Sequence, residues 1–123
     1  MGPTVAVLGA SGDRKKFGNR ALRAFRHRGF RVIPINLEAT FIEGLPAFRS
    51  VLDVSHPIDT ATIYLNPESG LSVLDELVEK KVREVWLNPG ADEPQVVAKA
   101  RSLGLEIVLG CSIVAIGEDP GNY

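Results

Sequence analysis

Gly9-Ala-Ser11, followed by Lys15, Lys16 and Gly18, is a set of residues suited to holding an anion. Small residues let a charged group come close to the backbone. Freed N–H groups at a helix start can then bind it, helped by the helix dipole. Cations at a helix N-terminus oppose that dipole, so Arg14, Lys15 and Lys16 are locally unfavourable unless an anion joins them. The chemistry implied is phosphate binding. Gly-Ala-Ser also makes an ordinary tight turn, so the rest of the chain must decide between the two readings.

No catalytic constellation stands beside it. No Ser-His-Asp arrangement, paired-carboxylate motif or metal-ligand cluster can be read out, and Cys111 with two scattered histidines does not make a zinc site. His27, near the end of a basic helix, and His56, before Pro57, read as surface residues. No catalytic or metal-binding residue is therefore assigned.

The elements that must position the loop follow from the apolar pattern. Five runs rich in Val and Ile recur: Thr4–Leu8, Arg31–Ile35, Ala61–Leu65, Glu84–Leu87 and Glu106–Leu109. They are mostly apolar on both faces, as strands covered above and below must be. The spacing predicts helices over Gly18–Arg28, with Gly29 closing it, and over a short Leu45–Leu52 opening with Pro46. A third follows Asn66 as N-cap and Pro67 at the first helical position, with Leu71, Leu74, Leu77 and Val78 as its stripe. A fourth starts at Asp92, carries Val96, Val97, Ala100 and Leu103 inward, and ends at Gly104.

Strand–helix alternation in 123 residues predicts one α/β domain: a Rossmann-like, doubly wound parallel sheet of five strands flanked by helices. The Rossmann order would set the first strand beside the fourth at the switch point. Residues 117–123 have no apolar period and read as a loosely held tail. The strand ends then gather on one rim: Gly9-Ala-Ser11, Asn36, Asn66-Pro67 and Asn88-Pro89-Gly90. Each of these is standard turn chemistry alone. Together, on one edge, they read as a binding site with small and amide-bearing groups.

Charge and composition narrow the partners. A formal net charge of −1 argues against general nucleic-acid binding. Eight of the fourteen Lys and Arg fall between Arg14 and Arg31, a stretch without Asp or Glu. Arg20, Arg23 and Arg26 read as a solvated basic face, and Lys15 and Lys16 as phosphate partners. No apolar run approaches the roughly 20 residues needed to span a bilayer. Met1-Gly-Pro-Thr lacks the features of an export signal, and a single cysteine suits a reducing, cytoplasmic setting. The faces bearing Leu71 and Leu74 could serve a homodimer or an unknown protein partner as easily as the sheet.

An NAD site wants G-x-G-x-x-G after the first strand and an acid at the tip of the second. Gly9, Gly12 and Gly18 make the wrong pattern, and the tip is Asn36, with Glu38 two residues further on. A Walker A sequence is absent.

Val7-Leu-Gly-Ala-Ser11, Lys16-Phe-Gly18, Gly29-Phe-Arg-Val-Ile-Pro-Ile-Asn36, Ile42-Glu-Gly44 and Trp86-Leu-Asn-Pro-Gly-Ala91 resemble the small stand-alone CoA-binding proteins, which are similar to the N-terminal domain of the succinyl-CoA synthetase α subunit. The resemblance runs from about Val5 to Cys111. It implies a Rossmann-like fold and coenzyme A as ligand. The implied phosphate loop is Gly9, Ala10, Ser11 and Lys16, with Gly18 allowing close helix approach. Asn36, Asn66, Pro67, Asn88, Pro89 and Gly90 are implied as the other loop contacts. Leu37-Glu38 replaces the family's usual Pro-Lys. The lost lysine would have suited a 3′-phosphate, and Glu38 would repel one.

The expected function is non-catalytic binding of coenzyme A or an acyl-CoA. The alternatives are an enzyme using NAD(P) or another nucleotide, and a regulatory nucleotide sensor acting on a partner protein. Cys111, after the fifth strand near the same rim, is either a small buried hydrophobe or a partner for the CoA thiol in a mixed disulfide.

Overall fold

The computed structural model describes residues 2–123. Five parallel strands, β1 (Thr4–Leu8), β2 (Arg31–Ile35), β5 (Thr60–Ile63), β6 (Glu84–Leu87) and β7 (Glu106–Leu109), form one sheet in the order β2-β1-β5-β6-β7. A hairpin, β3 (Phe41–Ile42) and β4 (Leu45–Pro46), stands apart. The helices are α1 (Phe17–His27), α2 (Pro67–Lys80), α3 (Pro94–Ser102) and the four-residue α4 (Ser112–Ala115).

Alternate residues of each inner strand feed opposite cores, which is why those strands read as continuous apolar runs. Ala6, Leu8, Ala61, Ile63, Val85 and Leu87 pack under Leu74 and Leu77 of α2 and Val96 and Ala100 of α3. Val5, Val7 and Val32 pack under Ala21, Leu22, Ala24 and Phe25 of α1 and Ile113 of α4. Leu74 is thus spent on the sheet, and Leu71 packs partly against the same core.

The strand order corrects one expectation. The first strand lies beside the third, not the fourth, with Val5 opposite Thr60 and Leu8 opposite Ile63. Both orders obey the same crossover handedness. The inner place goes to the strand that tolerates burial on both faces: Ala61, Thr62 and Ile63 are all fully buried, whereas Glu84 and Trp86 of β6 remain partly exposed. The switch point is accordingly between β1 and β5.

The segment 45–52 is a second correction. It is not a helix. Glu43 and Gly44 both have positive φ, 52° and 74°, as a two-residue type I′ hairpin turn requires. Phe48 then bridges Ile35 in parallel, and only Val51–Asp53 closes a 3₁₀ turn. Phe48 donates its N–H to the Pro34 carbonyl, and Asn36 donates to the Phe48 carbonyl. Residues 47–49 therefore run along the outer edge of β2. Pro34 is tolerated there because β2 is the outermost long strand.

Other boundaries move little. β5 stops at Ile63 rather than Leu65, and α3 begins at Pro94 with Glu93 as N-cap rather than at Asp92. Asn66 caps α2 as expected, accepting the Ser69 N–H at 2.9 Å. The tail 117–123, read above as loosely held, makes contacts along α1. Arg28 pairs with Glu118 at 3.6 Å, Arg20 donates to the Pro120 carbonyl at 3.5 Å, and Arg23 lies over the Tyr123 ring. No helix of the described residues is long and apolar enough to cross a membrane.

Candidate functional site

The rim is built where β1 meets α1. Gly9 leaves the strand with φ of 93°, and a Cβ there would run into the Tyr64 carbonyl. Gly18, in the first turn of α1, lies so close that a Cβ would overlap the Gly9 carbonyl. The helix is thereby pressed directly onto the loop. Lys16 takes the N-cap position in extended conformation with no side-chain cap, and no acid occupies the first turn. The Phe17 and Gly18 amides have no helical carbonyl to bond, and no acceptor among the described residues takes them. Bare amides, glycine-permitted approach and an adjacent ammonium fit an anionic group.

Two clefts meet at this loop. The larger, ≈ 590 Å³, runs from Gly9, Ala10 and Ser11 past Asn36 and Glu38 to the α2 face of Ser69 and Ser72. The smaller, ≈ 230 Å³, runs from Gly9 and Gly18 to Pro89, Gly90 and Ala91, beneath the half-exposed Phe17. Gly9, Lys16, Tyr64 and Leu65 line both. The geometry suits a two-armed molecule with its charge in the middle.

The sequence-based site residues divide by position. Gly9, Ala10, Ser11, Lys16, Gly18, Asn36, Asn66, Pro89 and Gly90 all line one cleft or both. Lys15 is exposed and lines neither, and Pro67 serves as the first helical residue of α2. Asn36 lines the cleft, but most of its amide is engaged. Its Nδ2 donates to the Ala10 carbonyl at 2.9 Å, and its Oδ1 accepts from the Glu38 and Ala39 amides at 2.8 Å each. It latches the β1–α1 loop to the β2 loop.

Asn88 is the clear departure. It is 1% exposed, and its side chain is consumed inside the protein. Nδ2 donates to Thr62 Oγ1 at 2.7 Å and to the Ile63 carbonyl at 3.0 Å, while Oδ1 accepts the Ser112 N–H at 2.9 Å. Ser112 Oγ continues the network to Thr62 and to the Tyr64 hydroxyl, at 2.7 and 3.1 Å. Burial pushes Tyr64 up to about 12, so it remains a neutral hydroxyl. Asn88 therefore fastens β5, β6 and α4 together behind the rim. Cys111, beside Ser112, is partly exposed and lines neither cleft.

Most arginines of the basic window bond protein acceptors, even where they remain exposed. Glu43, in the β3–β4 turn, takes Arg14 through both Nε and Nη2, at 3.1 and 3.0 Å. Asn19 Nδ2 donates to the same carboxylate at 3.0 Å and to the Ser11 carbonyl at 2.8 Å. Arg23 donates to Asn19 Oδ1 and the Arg14 carbonyl, and Arg26 to the Glu43 carbonyl. The Arg14 and Asn19 hydrogen bonds hold the Glu43 carboxyl at about 2. Arg14, Arg23 and Arg26 thus strap the loop to α1 and the hairpin. Sequence reasoning did not single out Glu43 and Asn19, which support the loop, or Tyr64 and Arg49, which line the clefts.

The histidines stay apart from the rim. His27 meets the Tyr123 ring, and His56 lies near Arg31 and Lys80 at the opposite end of the sheet. Burial, with those two cations nearby, lowers the His56 imidazole below its usual range.

Comparison with known proteins gives the site its context. Among solved structures, the chain is similar to a conserved hypothetical protein from Pyrococcus furiosus, with a TM-score of 0.85, 31% identity, and 92% and 98% of the two chains covered. It is also similar to the Ca. Korarchaeum cryptofilum dinucleotide forming acetyl-coenzyme A synthetase 1 in complex with phosphate and ADP. There the TM-score is 0.74 and the identity 30%, over 85% of this chain and 25% of that one. Among curated proteins, it is 27% identical to the α subunit of acetate–CoA ligase [ADP-forming] II from Pyrococcus furiosus, over 85% of this chain and 25% of the relative. It is 32% identical over 80 residues to acetate–CoA ligase [ADP-forming] from Methanocaldococcus jannaschii, covering 65% of this chain and 11% of that protein. The chain therefore spans a quarter or less of the length of these curated relatives. A family model described as a CoA binding domain matches residues 3–117, and the chain belongs to that family.

Proposed function

We propose that this protein binds coenzyme A or an acyl-CoA and performs no bond chemistry of its own. The observation that carries the reading is the junction of the two clefts, where the uncapped first turn of α1, the glycine-permitted loop and Lys16 converge. A diphosphate at that point would accept the Phe17 and Gly18 amides and the Lys16 ammonium, each a charge-assisted hydrogen bond. The nucleotide arm would extend along Asn36 and Asn66 in the larger cleft. The pantetheine arm would extend past Pro89 and Gly90 under Phe17. No side chain at the junction pairs a nucleophile with a base, which favours a binding role over a catalytic one.

The test is titration of the purified protein with CoA and, separately, NAD, read by calorimetry and by thermal midpoint. CoA at a hundredfold excess over its dissociation constant should stabilise the fold by about 2.7 kcal/mol. Lys16→Ala should weaken CoA roughly tenfold, the loss of one charged contact to phosphate. A shift with NAD and none with CoA would overturn the reading, and unchanged affinity in Lys16→Ala would remove that lysine from the site.

A further inference from the structure

We propose that Arg49 recognises a phosphomonoester on the nucleotide arm of the ligand, which in coenzyme A is the 3′-phosphate. This rests on the coenzyme A reading above and adds the residue that sets its selectivity. The position of Arg49 comes from the backbone. Phe48 bridges Ile35 in parallel, and its carbonyl accepts the Asn36 N–H at 2.9 Å, so Arg49 emerges at the rim beside Asn36. On its other side, Ser50 accepts the Leu52 N–H at 3.1 Å and gives its hydroxyl hydrogen to Glu76 of α2. Arg49 is thus held between two anchors, one on the sheet and one on the helix that forms the far wall of the larger cleft. It lines that cleft together with Leu37 and Glu38.

Its guanidinium stands apart from the other arginines near the rim. Arg14 is paired with Glu43, Arg23 with Asn19, Arg26 with the Glu43 carbonyl and Arg28 with Glu118. Arg49 is exposed on the cleft wall, and among the described residues no carboxylate lies within ion-pair distance and no acceptor within hydrogen-bond distance. A guanidinium carries five donors, and those of Arg49 are left free for a ligand in the cleft. A phosphate dianion matches its fork. Lys16 sits at the junction of the clefts, so it is occupied by the diphosphate. On the nucleotide arm itself, Arg49 is the cation that can offset Glu38, whose carboxylate would otherwise repel a third phosphate. A nucleotide lacking the extra phosphate offers Arg49 nothing.

The experiment is calorimetric titration of the wild type, Arg49→Gln and Arg49→Lys with CoA and with dephospho-CoA. The wild type should bind CoA about tenfold more tightly than dephospho-CoA, the scale of one charged bidentate contact. Arg49→Gln should bring the two ligands to within about twofold by weakening CoA alone, and Arg49→Lys should keep part of the preference. A wild type without preference, or an Arg49→Gln variant that retains it, overturns the assignment while leaving CoA binding intact. If the glutamine variant fails to fold, the wild-type comparison and the lysine variant still decide. Absence of binding by both compounds to the wild type would instead remove the coenzyme A reading, and this assignment with it.

Discussion

Glu43→Gln removes the charge at the centre of the loop's support while keeping its size and one of its two acceptor oxygens. The folded carboxyl sits at about 2 against an ordinary 4.5. A group depressed on folding stabilises the native state above its unfolded pKa, and that stabilisation fades as pH falls toward the folded value. The full displacement sets a ceiling of about 3 kcal/mol at pH 7. The Arg14 side chain is 66% exposed and that of Glu43 19%, so solvent screens much of the pair and about 1–2 kcal/mol is the expected cost. Urea unfolding of both proteins between pH 7 and pH 3 gives the measurement. The stability gap should be constant near neutrality, begin to close near pH 5 and shrink by about half at pH 3. A gap of equal width at every pH would mean that Gln disturbs packing rather than charge. No gap at pH 7 would refute the claim that this carboxylate holds the loop.

Two more substitutions test the contacts around the rim. Gly18→Ala sets a helix-propensity gain of about 1 kcal/mol against collision with the Gly9 carbonyl, a backbone atom that cannot swing aside. The collision should win by about 1–2 kcal/mol and weaken CoA as well, since Gly9 must move; a raised urea midpoint would contradict it. Asn88→Ala strips partners from Thr62, the Ile63 carbonyl and the Ser112 amide. It should cost about 2–4 kcal/mol in denaturant unfolding with little change in CoA affinity of the folded protein. A stable variant with lost affinity would return Asn88 to the ligand contacts.

What could be read without coordinates follows the range of the forces involved. Strands and helix caps are local: the Val- and Ile-rich runs and the Asn66-Pro67 cap appear where they were expected because burial on both faces and N–H capping leave marks within a few residues. Strand order is not local. Right-handed crossovers permit either arrangement, β1 beside β5 or β1 beside β6. The 45–52 segment was misread because Pro46 suits a helix start, while the Glu43-Gly44 turn lacks the Asn-Gly signature of a tight hairpin. That misreading hid Arg49. The β1–α1 loop stood out as a candidate anion site because glycines, small residues and lysines cluster in sequence. The fate of Asn88 was not, since its three partners come from β5 and α4, and an amide looks the same whether it faces a ligand or a neighbouring strand.

Asn19, Glu43 and Arg14 bind the loop into the folded scaffold before any ligand arrives. The conformational freedom that a cofactor would otherwise have to freeze is surrendered during folding instead. Tightness of grip and resistance to unfolding consequently draw on one shared set of bonds. Selection for a looser or tighter hold on the cofactor would carry thermal robustness along with it, and the two properties should drift together among natural variants of this hairpin.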